Sequence, residues 1–221
     1  MLPFTREQFF DVFARYNAAV WPAQVAAYLL GVAAVLALLR PSPAGHRLVA
    51  GVLAAMWIWT GVAYHGLHFA PINPAALAFG ALFVVQGLLF AVAGVARQRL
   101  VFGPTRGWAA ALGWGLGAYA AVLYPLLGLW SGHAWPVQPT FGITPCPVTL
   151  FSCGLLLLTT APVPRWLLLI PVLWSLVGGS AAFLLGVPQD WPLLFSGLAV
   201  VLLALRDRQP GAAHAAPSRT G

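Results

Sequence analysis

The sequence predicts an all-α membrane protein with about seven transmembrane helices, an N-terminal interfacial amphipathic helix, the N-terminus outside and the C-terminus cytoplasmic. Three observations lead there. Apolar residues fill 61% of the 221 positions and charged residues only 7%, with a mean hydropathy of +0.86. A soluble domain carries about a quarter charged residues to cover its surface. Second, seven apolar stretches follow one another with short breaks. Third, all eleven basic residues are arginines, and if each stretch crosses a bilayer once, nine of the eleven fall on one side. Positive charge in short loops stays cytoplasmic, because the anionic leaflet, the membrane potential and the insertion machinery favour it there.

Residues 1–19 come first, aromatic and carrying both charge signs, and no cleavable signal peptide is expected. Thr5-Arg6-Glu7-Gln8 fits a capping box, and Phe4 and Phe9 are spaced as a hydrophobic staple. Beyond the cap, Phe9, Phe13, Tyr16 and Val20 recur at helical spacing while Glu7, Asp11 and Arg15 take the opposite stripe. A helix so divided lies in the headgroup region as an anchor. A second reading makes it a lid over an outward-facing cavity.

Residues 20–205 form the polytopic domain, with spans at 20–39, 48–70, 74–96, 108–130, 148–161, 166–186 and 191–205. A crossing helix needs about twenty residues, which the first four and the sixth supply. The fifth and seventh offer about fourteen, roughly 21 Å of helix, and cross only by thinning the bilayer or sitting among longer neighbours. Asn73-Pro74, Cys146-Pro147 and Trp191-Pro192 each place a proline where a helix can begin, since the first helical N–H needs no partner. The tail, 206–221, contains Pro210, Pro217 and several small residues and reads as disordered.

Charge decides whether the short spans cross. With seven crossings, Arg40, Arg47, Arg97, Arg99, Arg106, Arg165, Arg206, Arg208 and Arg219 share a face, against Arg6 and Arg15 on the other. If the fifth segment turned back instead, the division would be five against six. Nine to two favours crossing. The net charge of +7 and a pI near 10.5 would fit a nucleic-acid partner, but the arginines sit at span ends and not among aromatics on one face, so that class is excluded. The absence of lysine, with abundant alanine and arginine, fits a GC-rich bacterial genome, and the bacterial inner membrane follows as the expected location.

Within the spans, Gly80, Gly87 and Gly94 recur every seven residues, and Gly113 and Gly117 form a GxxxG pair. Small residues let helices approach closely in lipid, so both spans are expected at helix interfaces. Gln86 is expected to hydrogen-bond to a neighbouring helix, with a pathway lining as the lesser reading. Pro171 should bend the sixth span and free a carbonyl.

The predicted topology gathers the remaining polar groups at the outer face. His65 and His68 are three apart on one helix face, His133 follows the fourth span, and Asp190 precedes the seventh. Glu7 and Asp11 lie on the N-terminal helix. The connection 131–147 has four prolines, two glycines and no charge, which reads as an ordered loop folded over the outer leaflet. Cys146 and Cys153, about 10 Å apart on one helix, are beyond disulfide reach. Cys146 at the helix start would have its thiolate favoured by the dipole, and Cys153 lies among apolar neighbours as a packing residue. Imidazole and thiolate suit zinc or copper, so one expectation is a metal site of His65, His68, His133 and Cys146 with Asp190 or Glu7 nearby. The competing expectation is that these histidines bond only to backbone or water.

Several stretches taken together carry a resemblance: Leu2-Pro3-Phe4-Thr5-Arg6-Glu7-Gln8-Phe9, the run from Asn17 to Gln24 with Trp21-Pro22, Tyr64-His65, Ile72-Asn73-Pro74-Ala75-Ala76, and Pro139-Thr140-Phe141-Gly142-Ile143-Thr144-Pro145-Cys146-Pro147. In these the chain resembles an uncharacterised bacterial family of multi-pass membrane proteins, domain of unknown function 6064, up to about Ala204. The resemblance implies a membrane location and carries over no activity and no functional residue. Two function classes stand open. One is a small-solute permease or binding protein with its site at the outer face; the other is a metal- or thiol-dependent membrane protein or enzyme using His65, His68, His133 and Cys146. No nucleophile motif, HExxH or nucleotide loop is present, so the residues favour transport or binding.

Overall fold

A computed structural model describes residues 2–206, which form eight helices: α1 (Arg6–Ala19), α2 (Ala23–Leu39), α3 (Pro43–Phe69), α4 (Ala76–Ala96), α5 (Trp108–Trp130), α6 (Pro145–Leu157), α7 (Arg165–Leu184) and α8 (Pro188–Leu205). Five of them, α3, α4, α5, α7 and α8, are long and apolar enough to cross a membrane. Helices α1 and α2 meet that test only as a pair, bent by 84° at the break between them. The expected tail, with Asp207, Arg208 and Arg219, lies outside the described residues.

The N-terminus follows its local chemistry. Thr5 Oγ1 accepts from Gln8 N at 3.2 Å and Gln8 Oε1 accepts from Thr5 N at 2.8 Å, closing the capping box. Phe4 and Phe9 stack at 6.0 Å. Phe9, Phe13 and Tyr16 are buried while Glu7, Asp11 and Arg15 are exposed, the division their periodicity predicts. What covers the buried stripe is protein: α1 turns across the end of the bundle instead of continuing α2.

Helix α6 has 13 residues, and 12 of them are buried, so it is the central helix of the bundle. A helix enclosed by protein need not match the hydrocarbon thickness, because its ends are satisfied by neighbours and not by lipid headgroups. One end adjoins Asp190 and the other reaches Phe102, which pairs with Thr159 in an isolated bridge. It also begins earlier than its prolines foretold. Pro145, not Pro147, occupies the first helical position after Thr144, and beyond Leu157 the chain leaves the helix to bond Gly103 N to Leu158 O at 3.0 Å. Pro74 likewise precedes its helix, in a turn where Asn73 Oδ1 accepts from Ala75 N at 3.3 Å.

Glycine places the helices. A Cβ on Gly80 would meet the Gly61 carbonyl at 2.7 Å, one on Gly87 the Ala54 carbonyl at 2.8 Å, and one on Gly94 the side chain of Ala50. This seven-residue seam is the antiparallel contact of α4 with α3. Gly113 faces the Gly154 carbonyl in the same manner, joining α5 to α6. With backbones this close, dispersion and Cα–H contacts replace the hydrophobic drive that lipid cannot supply.

The expected carbonyl and the expected amide partner prove to be the same bond. Pro171 has no N–H to offer the Leu167 carbonyl four residues back, and α7 begins there as a tight 3₁₀ turn, Arg165–Leu168. Gln86 Nε2 of α4 donates to that carbonyl at 3.0 Å in a buried position.

Candidate functional site

Helix α1 and the connection 131–144 are sewn together over one end of the bundle. Tyr16 O–H donates to Ile143 O at 2.7 Å and accepts from Trp59 Nε1 at 2.9 Å. Asn17 Nδ2 donates to the carbonyls of Pro136 and Gln138 at 2.7 and 2.8 Å, and Thr140 Oγ1 donates to Asn17 Oδ1 at 2.8 Å. The proline-rich connection therefore has its polar groups met by one helix, which is why so apolar and broken a segment is ordered.

Beneath this cover lies a cavity of about 300 Å³. Its walls are largely apolar, with the rings of Phe4, Phe9, Phe13, Phe69, Phe79 and Trp174 contributing. Leu2, Pro3, Ala75 and Leu184 line it and are exposed, so it opens through an apolar rim between the start of the chain, α4 and the end of α7. Asp190, Cys146, Tyr64 and His65 supply polar groups. Asp190 is 2% exposed, and Tyr124 O–H donates to its Oδ1 at 2.6 Å. The Cys146 thiol lies beside that carboxyl group and beside the Trp174 indole, whose Nε1–H forms no well-aligned hydrogen bond.

The anticipated residues are divided by the fold. His65 is fully buried, with its ring 5.1 Å from that of Trp174 and 4.9 Å from that of Phe83, and neither ring nitrogen has a partner. His68 points elsewhere: its Nδ1 meets Ala63 O at 2.8 Å and its ring lies edge-on to Tyr16. The cause is the last part of α3, Thr60–Phe69, which winds with i to i+5 hydrogen bonds, so that residues three apart no longer share a face as in an α-helix. His133 stacks on Phe10 at 3.9 Å on the far side of α1, with Arg6, Glu7 and Asp11 around it on the surface. Its burial against the ring and, secondarily, the Arg6 guanidinium hold its pKa below the ordinary imidazole value.

His65, His68, His133 and Cys146 are thus not brought together, and among the described residues no group of three or more His, Cys, Asp or Glu side chains is placed to hold a metal ion. Cys146 does begin a helix, but with a carboxyl group facing it. Cys153 is a free, buried thiol. Gln86 does not line the cavity and serves the helix pair. Tyr124 and Trp174 complete the site without having left a mark in the sequence, where an aromatic residue in an apolar span looks like any other, and Tyr64 stood out there only through the resemblance.

A family model described as a family of unknown function (DUF6064) matches residues 6–214. The chain belongs to this family. Comparison with curated proteins and with solved structures gives no match. Membership of DUF6064 adds no activity to the geometry, so the cavity has to be read from its own chemistry.

Proposed function

We propose that this DUF6064 protein is a multi-pass membrane protein of the bacterial inner membrane that binds a small lipophilic molecule in the cavity under α1, at the outer face. The observation that carries the reading is the cavity itself. Apolar walls, a few convergent polar groups and burial from bulk water are the usual character of a small-molecule site. The apolar rim suits entry from the bilayer. The buried Gln86–Leu167 bond lies outside the cavity, which favours binding over a continuous pathway.

Orientation rests on charge. Arg40, Arg47, Arg97, Arg99, Arg106 and Arg165 lie near the ends of their helices remote from the cavity, while Arg6 and Arg15 lie beside it. Counting the bent α1–α2 pair once and α6 as a crossing gives seven, with the arginine-rich end in the cytoplasm. The test is organic extraction and mass spectrometry of purified protein. Wild type should carry a small lipophilic molecule at near-stoichiometric amount, and Ala181→Trp, which fills the cavity, should lose it. Equal content in the two proteins overturns the reading.

A further inference from the structure

The binding reading leaves the ligand's chemistry open, and the floor of the cavity constrains it. Asp190 is the only acid in residues 20–205, it is almost wholly buried, and it lines the cavity. The Tyr124 hydroxyl donates to Oδ1 and the Cys146 thiol adjoins the same group. A carboxyl group so deeply buried carries its charge only when a cation accompanies it. The chain has no lysine, and among the described residues no arginine lines the cavity. The protein thus supplies the carboxyl group and its donors and withholds the counter-charge.

Two further features complete a cation's surroundings. Aromatic faces attract cations through their quadrupoles, and Phe4, Phe9, Phe69, Phe79, Tyr64 and Trp174 all border the space. His65, which lines it, is fully buried with both ring nitrogens unpartnered, and a neutral imidazole keeps one lone pair able to accept an N–H. We propose that the cavity takes a small lipophilic cation, a protonated amine on an apolar or aromatic body, with the ammonium on Asp190 and a second N–H directed to His65. At about 30 Å³ per water-sized group the volume holds roughly ten non-hydrogen atoms.

The inference rests on the binding reading, and one experiment separates the two. Full-length protein in phosphatidylcholine nanodiscs is titrated calorimetrically with 2-phenylethylamine, 2-phenylethanol and phenylacetate, with empty discs subtracted. Wild type should bind the amine at least tenfold more tightly than the alcohol or the carboxylate. Asp190→Asn should weaken the amine at least tenfold and leave the alcohol within about twofold, and Ala181→Trp should weaken both. An alcohol that binds as well as the amine, and is lost in Ala181→Trp, overturns the cation and leaves the binding reading standing. Failure of every probe to bind in a manner sensitive to Ala181→Trp overturns both. If Asp190→Asn does not elute as a monodisperse species, the ranking of the three probes on wild type decides alone.

Discussion

The bond between Gln86 and the Leu167 carbonyl makes a sharp thermodynamic prediction. In wild type the carbonyl lacks its i+4 helical donor, because residue 171 is proline, and the 3.0 Å bond from Gln86 Nε2 meets that need. Gln86→Leu leaves a buried carbonyl unpaired, worth about 1–3 kcal/mol, and also removes the buried Gln86 Oε1, which has no partner of its own. The two effects oppose, so the single substitution should cost only about 1 kcal/mol or less. The coupling is the cleaner quantity. In a Pro171→Ala background the new N–H can serve Leu167, and the cost of Gln86→Leu should fall by about 0.6–1.7 kcal/mol, between the typical and the largest coupling of hydrogen bonds between membrane helices. In a chain of this size that corresponds to roughly 2–4 °C of melting temperature per kcal/mol. The four proteins are melted in one detergent and the cycle closed. Additivity within about 0.3 kcal/mol would show that the proline and the amide are not joined as described.

Other outcomes follow from single sites. Gly113→Ala puts a methyl 2.7 Å from the Gly154 carbonyl and should destabilise by about 1–3 kcal/mol, whereas Gly115→Ala, with nothing within 4 Å, should melt at or a little above wild type; equal melting temperatures for the two variants would remove the α5–α6 seam from the account. A fluorescent reporter fused after Ala204 should report the cytoplasm and an alkaline phosphatase fusion there should be inactive; the reverse pattern inverts the orientation. The His133 proton should titrate below the ordinary imidazole value in a histidine NMR titration, and Arg6→Ala should move its midpoint part of the way back, since burial against Phe10 remains. Because the folded protein binds that proton less readily than the unfolded chain, this residue's contribution to stability falls as the pH drops below the ordinary value. An unchanged midpoint in Arg6→Ala would remove the guanidinium as a cause.

Features set within a few residues of one another were readable in advance. The Thr5–Gln8 box, the Phe4–Phe9 stack and the two-sided α1 follow from spacing alone, because capping and amphipathicity act within one or two turns. The glycine seam of α4 was visible as a seven-residue period, and only its partner, α3, was not. The histidine constellation failed for a local reason and a distant one. The i to i+5 winding of Thr60–Phe69 turned His68 away from His65, and α1 placed a layer of rings between His133 and the cavity. No periodicity announces either event.

The amino-acid order by itself determined a bundle of helices apolar enough to span a membrane, because so few charges cannot cover a water-facing surface. It also determined which helix faces are narrow enough to touch. Only the tertiary structure decided that α6 lies at the centre, that α1 folds across the end of the bundle, and that Asp190 meets Tyr124 and Cys146 at the floor of an apolar cavity. Those contacts join residues tens of positions apart, and their partners are chosen by the packing of whole helices, which no local pattern encodes.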